Sequence, residues 1–457
     1  MDAERFKAMV DRLSAHAEQH PRLYKLEIFG LAVFGYLVLI LIVSIALILG
    51  VGTVIALLVL KAGALLKIAW IPLWFAWAVL RAMWIRVDAP EGRVLTAKEA
   101  PKLFSEIDAV RRALAAPRLY RVLLTDEFNA AVSQVPRLGM FGWQKNYLII
   151  GLPLMLTLSP GQFRAVLAHE FGHLSRNHSR FSAWIYRVRL SWARLLHTLD
   201  SAGRRSANWL QKFLNWYAPY FSAYSFVLAR ANEYEADRYA AVLVSAQQVA
   251  EALVNVEVKA ETLHKHVWDQ VYKQADRHPA PPRNPYDDLR VLAKMPTINE
   301  ADAVLKQAFA RETGFDDTHP SLRDRVRALG LDISAVTPVK QTAAEQLFGP
   351  KLAELLAEFN AGWRERIGAR WQERHEYVQQ AQKKLSAWDA KAAEQLPDAE
   401  LFEYASLIEE FRDAERALAL YQALIARNAQ HAGGVYAVGR MRLAKADEGG
   451  VAYLHRA

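Results

Sequence analysis

Two histidines four positions apart, His169 and His173, flank Glu170 in the segment HEFGH. If the segment is helical, both imidazoles lie on one face, one turn apart, and are able to bind the same Zn²⁺ ion. The carboxylate of Glu170 is offset around the helix, where it can act as a general base toward a water held by that ion. Because the chain has 13 histidines, the motif also arises by chance, and its meaning depends on the elements around it.

A catalytic zinc site takes three ligands from the protein and leaves the fourth position to water. His178 is one candidate for the third ligand, but the metzincin pattern would place glycine at position 176 and histidine at position 179, where this chain has arginine and serine. Glu233 is a second candidate. Asp237 lies four residues later on a predicted helix, so it faces the same way and can accept the ring N–H of a ligating histidine. Glu235 is the third candidate, and it points to another side of that helix.

The HEFGH segment lies in a predicted helix with a strong start signal. Ser159 is a good N-cap, Pro160 suits the first helical position, and Gln162 completes a capping box. Apolar residues then recur at helical spacing from Phe163 to Leu174. The histidine pair is therefore expected on a well-formed helix and not in a loop.

A small sheet is predicted before this helix. Helical periodicity covers Lys102 to Ala115. Three short β-prone runs, separated by turn residues, then cover Arg121 to Thr125, Ala130 to Val135 and Tyr147 to Gly151. Together with long helical stretches elsewhere, these runs predict an α+β fold that is mainly α.

These motifs resemble a known family. HEFGH, preceded by Ala-Val-Leu-Ala and followed about 60 residues later by NEYEAD, is similar to the membrane zinc metallopeptidases of the HtpX and CAAX prenyl protease type. In those gluzincins the third zinc ligand is the glutamate of an E-x-x-A-D segment. The resemblance implies one Zn²⁺ per chain, bound by His169, His173 and Glu233, with Glu170 as the general base and Asp237 supporting a ligand.

Two further segments resemble the same family, and the likeness runs from about residue 95 to residue 330. Asn129 and Ala130 come before the predicted edge strand, where such enzymes hold the substrate backbone. His319 and Arg325, in the segment THPSLRDR, resemble a His-Pro segment with a later arginine, where they would face the substrate or the oxyanion. Three simpler roles stay open: Asn129 starts a turn, His319 caps a helix, and Arg325 is a solvated charge.

The chain also differs from those relatives, which carry more membrane spans, some of them between the HExxH helix and the third ligand. Here the corresponding stretch, Trp184 to Leu228, is too charged to supply clear spans. Its aromatic, basic and amphipathic character predicts contact with a membrane surface, with an ordinary buried helix as the alternative. We therefore expect neither a prenyl-protease substrate nor an intramembrane cavity.

The N-terminal region predicts a membrane anchor. Residues 1–27 are polar and basic, and Ile28 to Leu60 then contains no charged side chain. That run is long enough to cross a bilayer, and it is too long and starts too late for a cleaved signal peptide. A second apolar stretch, from Ile68 through Ile85, is rich in tryptophan, so residues 28–86 predict a transmembrane hairpin. The alternative is one long span followed by an interfacial helix.

Basic residues flank both ends of the predicted hairpin, from Arg5 to Lys25 and from Arg81 to Arg93. The positive-inside rule then places both ends, and everything that follows, in the cytoplasm. The expected location is a cell membrane of the bacterial inner-membrane kind, with a multi-pass chain and the lipid bilayer as a partner.

Helices are also predicted for the C-terminal third. His278 to Tyr286 is proline-rich and breaks any helix, whereas Ala343 to Glu394 is long, charged and helical. After Pro397 a period of about 34 residues resembles tetratricopeptide repeats, which would recruit protein partners, with a bare helical hairpin as the alternative. The matching positions are Leu401, Tyr404, Ala405, Ile408, Ala417, Tyr421 and Ala429.

The predicted domain organisation follows from these observations. It comprises a polar helix at 1–27, a transmembrane hairpin at 28–86, a gluzincin-like zinc metallopeptidase domain at 89–335, a helical region at 343–396 and tetratricopeptide-like repeats at 397–457.

The composition narrows the function. With 53% apolar and 23% charged residues, the 457-residue chain can bury large cores and is not disordered. The absence of cysteine excludes thiolate catalysis, cysteine metal ligands and disulfides, and the net charge of +9 is spread along the chain, so no nucleic-acid partner is expected. The sequence predicts a membrane-anchored zinc endopeptidase acting on proteins or peptides, in membrane-protein or misfolded-protein quality control. The alternative is a non-catalytic membrane scaffold that uses its helical tail.

Overall fold

The computed structural model describes residues 3–60, 66–83, 88–138, 141–174, 179–201, 208–294, 301–314, 319–333 and 335–457. In these ranges the chain is mainly helical with one small mixed sheet, which confirms the predicted fold class. The chain divides into two compact units. The first contains Met1–Val267 and Asn284–Phe359, and the second contains Trp268–Arg283 and Asn360–Ala457.

The N-terminal part of the first unit consists of three helices: α1 (Ala3–Gln19), α2 (Pro21–Val59) and α3 (Leu66–Met83). Proline at the first position of α2 favours a helix start, because its φ is already helical. α3 packs against α2, and Gly50 permits the approach, since a Cβ there would lie 2.6 Å from Leu73 Cγ. The two apolar stretches are therefore packed helices. The segment that joins them, 61–65, and Trp84 lie outside the described residues.

Among the described residues, α2 is the helix long and apolar enough to cross a bilayer. Its 39 residues exceed the roughly 20 that a span requires. Of its most apolar 18 consecutive residues, 28% are buried inside the protein, whereas the core helix of a soluble protein would be mostly buried. The outward apolar surface of α2 favours association with a membrane.

The sheet has four strands: β1 (Arg93–Leu95), β2 (Arg121–Thr125), β3 (Ala130–Leu138) and β4 (Phe141–Gly151). Their order is β1-β2-β4-β3, with β2 and β4 parallel and the other neighbours antiparallel. The three predicted β-prone runs are confirmed, and β3 and β4 extend further than predicted because they pair along their length. β1 is not predicted by the sequence, since three residues carry too little pattern. β3 lies at the edge of the sheet.

Three helices are connected to these strands along the chain. α4 (Pro101–Ala113) lies between β1 and β2, and α5 (Leu152–Thr157) and α6 (Pro160–Leu174) follow β4. The predicted capping box of α6 is confirmed: Ser159 Oγ accepts the N–H of Gln162 at 3.2 Å, and Gln162 Oε1 accepts the N–H of Ser159 at 3.0 Å. α6 packs against α4 and β3, and most of its residues are buried. The helix that carries HEFGH is therefore held from several sides.

Two long helices follow: α7 (Ser179–Ser201) and α8 (Asn208–Leu243). α8 packs against α6 and also against α2. Tyr217 donates its hydroxyl hydrogen to the carbonyl of Leu31 at 2.9 Å, and Tyr24 donates to the carbonyl of Tyr224 at 2.8 Å. The apolar stretch predicted as either surface-bound or buried is thus largely buried against α2, although Trp216 stays exposed.

Shorter helices follow: α9 (Ala246–Leu263), α10 (Asp269–Lys273), α11 (Pro285–Ala293), α12 (Ala301–Ala310), α13 (Leu322–Ala328) and α14 (Ala343–Phe348). α9, α12 and α13 share a core around Val254, Leu305 and Val326, which fixes α13 in the first unit. The helix break predicted for residues 278–286 covers residues 278–284, and it ends earlier than predicted because Pro285 occupies the first position of α11.

The second unit contains α10, most of α15 (Lys351–Asp389), and then α16 (Asp398–Phe411), α17 (Ala414–Arg427), α18 (Ala432–Ala444) and α19 (Gly450–Arg456). From α16 onward, each helix packs against the next. Ala405, Ala417 and Tyr421, which belong to the 34-residue period, lie in the core of this unit. Their identification as tetratricopeptide repeats stays a prediction.

Candidate metal centre

Helices α6 and α8 approach each other closely at Gly172. A Cβ at this position would lie 3.1 Å from the Cα of Ala236, so a residue without a side chain is what the packing requires. The close approach brings His169 and His173 on α6 toward Glu233 on α8. Segments about 60 residues apart in sequence therefore meet at one place.

The three side chains converge on a common point. His169 Nε2 lies 3.1 Å from His173 Nε2 and 3.5 Å from Glu233 Oε2, and His173 Nε2 lies 3.3 Å from Glu233 Oε1. These residues form a group that could hold a metal ion. A tetrahedral zinc ion with bonds of about 2.0–2.1 Å needs ligand atoms about 3.3–3.4 Å apart, so the observed spacings and the two-imidazole, one-carboxylate donor set fit Zn²⁺.

An oxygen of Glu233 supports the same conclusion. Glu233 Oε2 is buried and has no hydrogen-bond partner in the described part of the chain. Nδ1 of His319 lies 2.9 Å from this oxygen, and the attraction between the two groups lowers the pKa of the carboxyl. A buried carboxylate oxygen without a hydrogen bond costs free energy unless a cation satisfies it. The group is thus better suited to an ion than to a closed hydrogen-bond network.

Glu233 is ionised in this environment. Burial alone would raise the pKa of its carboxyl, but the neighbouring imidazoles of His169, His173 and His319 lower the pKa well below its usual range. The side chain is therefore already a carboxylate, which is the form that binds a metal.

Asp237, one helical turn after Glu233, orients the first histidine. It is buried, and its Oδ1 accepts a hydrogen bond from Nδ1 of His169 at 2.9 Å, which leaves Nε2 free to bind a metal. Arg325 on α13 donates from Nε and Nη2 to the two oxygens of Asp237, at 2.8 and 2.6 Å. Burial would raise the pKa of Asp237, but the bonds from Arg325 and His169 lower it to about 2. Arg325 is therefore a buried, paired residue and not a solvated charge.

Glu170 lies beside the ligand group without belonging to it. Its Oε2 accepts the backbone N–H of Val132 at 3.2 Å, so the carboxylate reaches the edge strand β3. A cavity of about 300 Å³ is lined by Glu170 together with both histidines of HEFGH, Asn129 and Ala130. The carboxylate of Glu170, the two histidines and the start of β3 thus open into one space.

The backbone of β3 faces this space with its outer edge. The N–H of Gly151 donates to the carbonyl of Asn129 at 2.8 Å, which marks a hydrogen-bonded pair in the ladder with β4. Such pairs alternate along antiparallel strands, so Ala130, Val132 and Gln134 direct their N–H and C=O groups away from β4. The bond from Val132 to Glu170 agrees with this direction. Asn129 and Ala130 stand at the beginning of that outer edge.

Among the described residues, Glu233 is the candidate third ligand that joins the histidines. Glu235 instead accepts the hydroxyl of Tyr239 at 3.1 Å, and His178 lies outside the described residues. Val132 was not predicted from the sequence, because its contribution is a backbone N–H, which every residue except proline possesses. Gly172 lay inside the motif, but its role appears only once Ala236 is seen against it.

Comparison with known proteins agrees with this geometry. Residues 103–331 match Peptidase family M48, a stretch that covers about half of the chain and includes HEFGH, Glu233, Asp237 and Arg325. No curated protein and no solved structure matches the chain. M48 peptidases are zinc-dependent hydrolases, and the group formed by the two histidines and Glu233 is able to hold that ion. The chain therefore belongs to peptidase family M48 and is a zinc metallopeptidase.

Proposed function

We propose that the protein is a membrane-anchored zinc endopeptidase that cleaves protein substrates, with His169, His173 and Glu233 as metal ligands and Glu170 as the general base. The observation that carries this proposal is the position of Glu170, whose carboxylate lies next to the ligand group and also contacts β3. A base at that position can reach both a water at the metal and a peptide on the strand edge.

Glu170 would move one proton in two steps. The zinc ion, when bound, supplies a Lewis acid and a water whose pKa is lowered toward about 7. Glu170 would take a proton from an attacking water while the oxygen of that water forms a bond to the carbonyl carbon of the substrate. It then passes the proton to the departing amine as the C–N bond breaks. The N–H of Val132 orients the carboxylate for both transfers.

His319 is better placed than Arg325 to stabilise the oxyanion. Its side chain is 70% exposed, lines the cavity that contains Glu170, and can donate an N–H to a negative oxygen. The guanidinium of Arg325 is instead bound to Asp237. We assign Arg325 the role of holding Asp237, and through it the imidazole of His169.

The substrate would bind as an additional strand on the outer edge of β3. Main-chain hydrogen bonds to Ala130, to the carbonyl of Val132 and to Gln134 would hold it in register, because these residues direct N–H and C=O groups away from β4. Asn129, whose carbonyl accepts the N–H of Gly151, would mark the end of this edge. Strand addition requires an extended backbone, which unfolded proteins supply. This requirement supports a role in quality control of misfolded or membrane proteins.

The membrane arrangement is part of the same proposal. α2 and α3 would form a hairpin through the bilayer, with the polar residues 1–27 and the metallopeptidase domain at 89–335 on the cytoplasmic side of the cell membrane. Exposed apolar side chains on both helices, such as Ile48 and Trp74, support burial in lipid. The helical region at 343–396 and the repeats at 397–457 would offer a surface to protein partners.

A non-catalytic scaffold is not favoured. Structural zinc sites are usually closed by four protein ligands, whereas the described residues offer a group of three. Membership of a peptidase family also argues for catalysis.

The test replaces the proposed base. Glu170→Gln should abolish cleavage of an unfolded protein substrate while leaving zinc bound, because the amide cannot accept the proton and is not a ligand. The measurement combines a cleavage assay with metal analysis of the purified full chain. Glu261→Gln, the same change on an exposed part of α9, is the matched control and should retain activity. Unchanged proteolysis by Glu170→Gln would refute the assignment of the base.

A further inference from the structure

A larger cavity, of about 570 Å³, adjoins the metal centre on the side of α7 and α8. His173, Glu233 and His319 line it at the metal centre, and Ser133 and Gln134 line it along β3. It therefore continues from the site of the proposed reaction along the edge strand. The mechanism described above makes no use of it.

Arg187 on α7 lines this cavity with a buried guanidinium. The residue is 8% exposed, its Nε is buried without a hydrogen-bond partner, and in the described part of the chain it forms no ion pair. The acidic residues in the same walls are engaged elsewhere: Glu233 belongs to the ligand group, and Glu235 accepts the hydroxyl of Tyr239. Burial of a cation without a carboxylate is costly, and here it lowers the pKa of the guanidinium.

We propose, on the basis of the peptidase function above, that Arg187 forms a subsite for an acidic side chain of the substrate, on the N-terminal side of the cleaved bond. A guanidinium binds a carboxylate through two parallel hydrogen bonds, and such bonds are stronger in a cavity of low dielectric than in water. An aspartate or glutamate of the substrate would supply the partner that the described residues do not provide at this position. The half-buried Arg189, which also lines the cavity, adds positive charge.

The direction of β3 determines which side of the bond this subsite serves. Ala130 and Ala131 line the smaller cavity, whereas Ser133 and Gln134 line the larger one. A peptide added antiparallel to β3, the slightly more stable pairing, runs from Gln134 toward Ala130. The contact of Glu170 with the strand lies between these two pairs, at Val132. The residues that precede the cleaved bond therefore lie beside the larger cavity.

The experiment compares otherwise identical peptides that carry Glu, Gln or Lys at successive positions before the cleaved bond. With the full-length enzyme in detergent, kcat/KM should be about tenfold higher for Glu than for Gln at one of these positions, and lowest for Lys. In Arg187→Gln the ratio of kcat/KM for the Glu peptide to that for the Gln peptide should fall to about one. Arg238→Gln, the same change on an exposed part of α8, is the control and should keep the wild-type ratio.

The outcomes separate this inference from the proposed function. If the wild type cleaves none of the peptides, the peptidase proposal fails. If the wild type cleaves all of the peptides equally, or prefers an acidic residue only after the cleaved bond, the subsite is refuted. The proposal that the protein is a peptidase is then unaffected. If Arg187→Gln does not fold, Arg187→Met, which keeps an apolar stem, replaces it in the experiment. A ratio of Glu to Gln cleavage equal to that of the wild type in either variant also overturns the inference. A third result would assign the cavity to lipid headgroups instead. In that case the cleavage rate does not depend on the charge of the peptide but increases when phosphatidylglycerol vesicles are added, and Arg187→Gln removes this increase.

Discussion

At the scale of single residues, Gly172 determines how closely the two helices that carry the metal ligands approach each other. It lies between the ligands of α6 in sequence and against Ala236 of α8 in space, at a distance that leaves no room for a methyl group without adjustment. The imidazoles and Glu233 lie within 3.1–3.5 Å of one another because the two backbones are so close. Even a small separation of the helices would lengthen these spacings beyond those of a tetrahedral ion.

Gly172→Ala should weaken zinc binding by about tenfold, a size typical of disturbances around metal ligands. The added methyl forces α6 and α8 apart by a few tenths of an ångström and pulls Glu233 away from the histidines. Competition with a zinc chelator measures the effect. Gly368→Ala is the control, because its Cβ would meet open space on α15, and it should stabilise that helix by about 1 kcal/mol without changing zinc affinity. Wild-type zinc affinity in Gly172→Ala would show that the helices can part without cost to the site.

At the scale of elements, the sequence predicts what depends on local signals. The start of α6 is an example, since Ser159 and Gln162 cap the helix through bonds between residues three apart. The β-prone runs of β2, β3 and β4 are predicted for the same reason, because alternation and turn residues are local. The pairing of β3 with β4 beyond those runs, and the addition of β1, depend on partners distant in sequence and are not predicted.

The site divides in the same way. The histidine pair follows from spacing within one helix, so the sequence predicts it directly. The residues alone left three candidates for the third ligand, because the choice depends on how α6 and α8 pack, and the resemblance to a family selected Glu233. The N–H of Val132 could not be predicted, since it depends on which edge of β3 faces Glu170.

In the second unit, Asp389 joins the end of α15 to α16 and α17. It accepts hydrogen bonds from Arg412, Tyr404 and Arg416, and the bond from Arg412 is the main reason that the pKa of Asp389 falls to about 2. Because the pKa in the folded state is lower than in the unfolded chain, the stabilisation is complete above about pH 4 and is lost as the pH falls toward 2.

Asp389→Asn should therefore destabilise the second unit at pH 6 by about 1 kcal/mol, a value that allows for solvent screening of a side chain about one-third exposed. The difference between variant and wild type should shrink as the pH falls from 4 to 2. The destabilisation is measured on the intact chain by hydrogen exchange in increasing urea. Mass spectrometry of the digested protein then gives the urea midpoint for the segments that contain α16 and α17. Glu365→Gln, an exposed change on α15, should have no effect. A difference that grows toward low pH would contradict the assigned charge network.

At the scale of the whole molecule, the N-terminal helices are part of the fold of the first unit. The apolar half of α8 is covered by α2, through buried residues such as Ile28 and Phe221 and through the bond of Tyr217 to Leu31. The other half of α8 carries Glu233 and Asp237. Removal of α2 would therefore expose a large apolar surface on the helix that supplies the third ligand.

Deletion of residues 1–88 should consequently abolish zinc binding, and should not release an active soluble peptidase. Metal analysis and a cleavage assay on both the full and the shortened chain, each in detergent, test this expectation. Deletion of residues 398–457 is the control, because every residue of the metal centre lies in the other compact unit, and it should leave zinc bound. A shortened chain without residues 1–88 that still cleaves protein would show that α2 is a dispensable tether.

The continuity of α8 has one more consequence. From Tyr217, which contacts α2, to Glu233, which completes the metal centre, the helix runs about 24 Å, the length of 16 residues at 1.5 Å each. Pro219 lies near the start of this stretch, and the helix continues from there to Glu233. A shift of α2 where it contacts Tyr217 would therefore be passed along a single helix to the carboxylate that completes the metal centre.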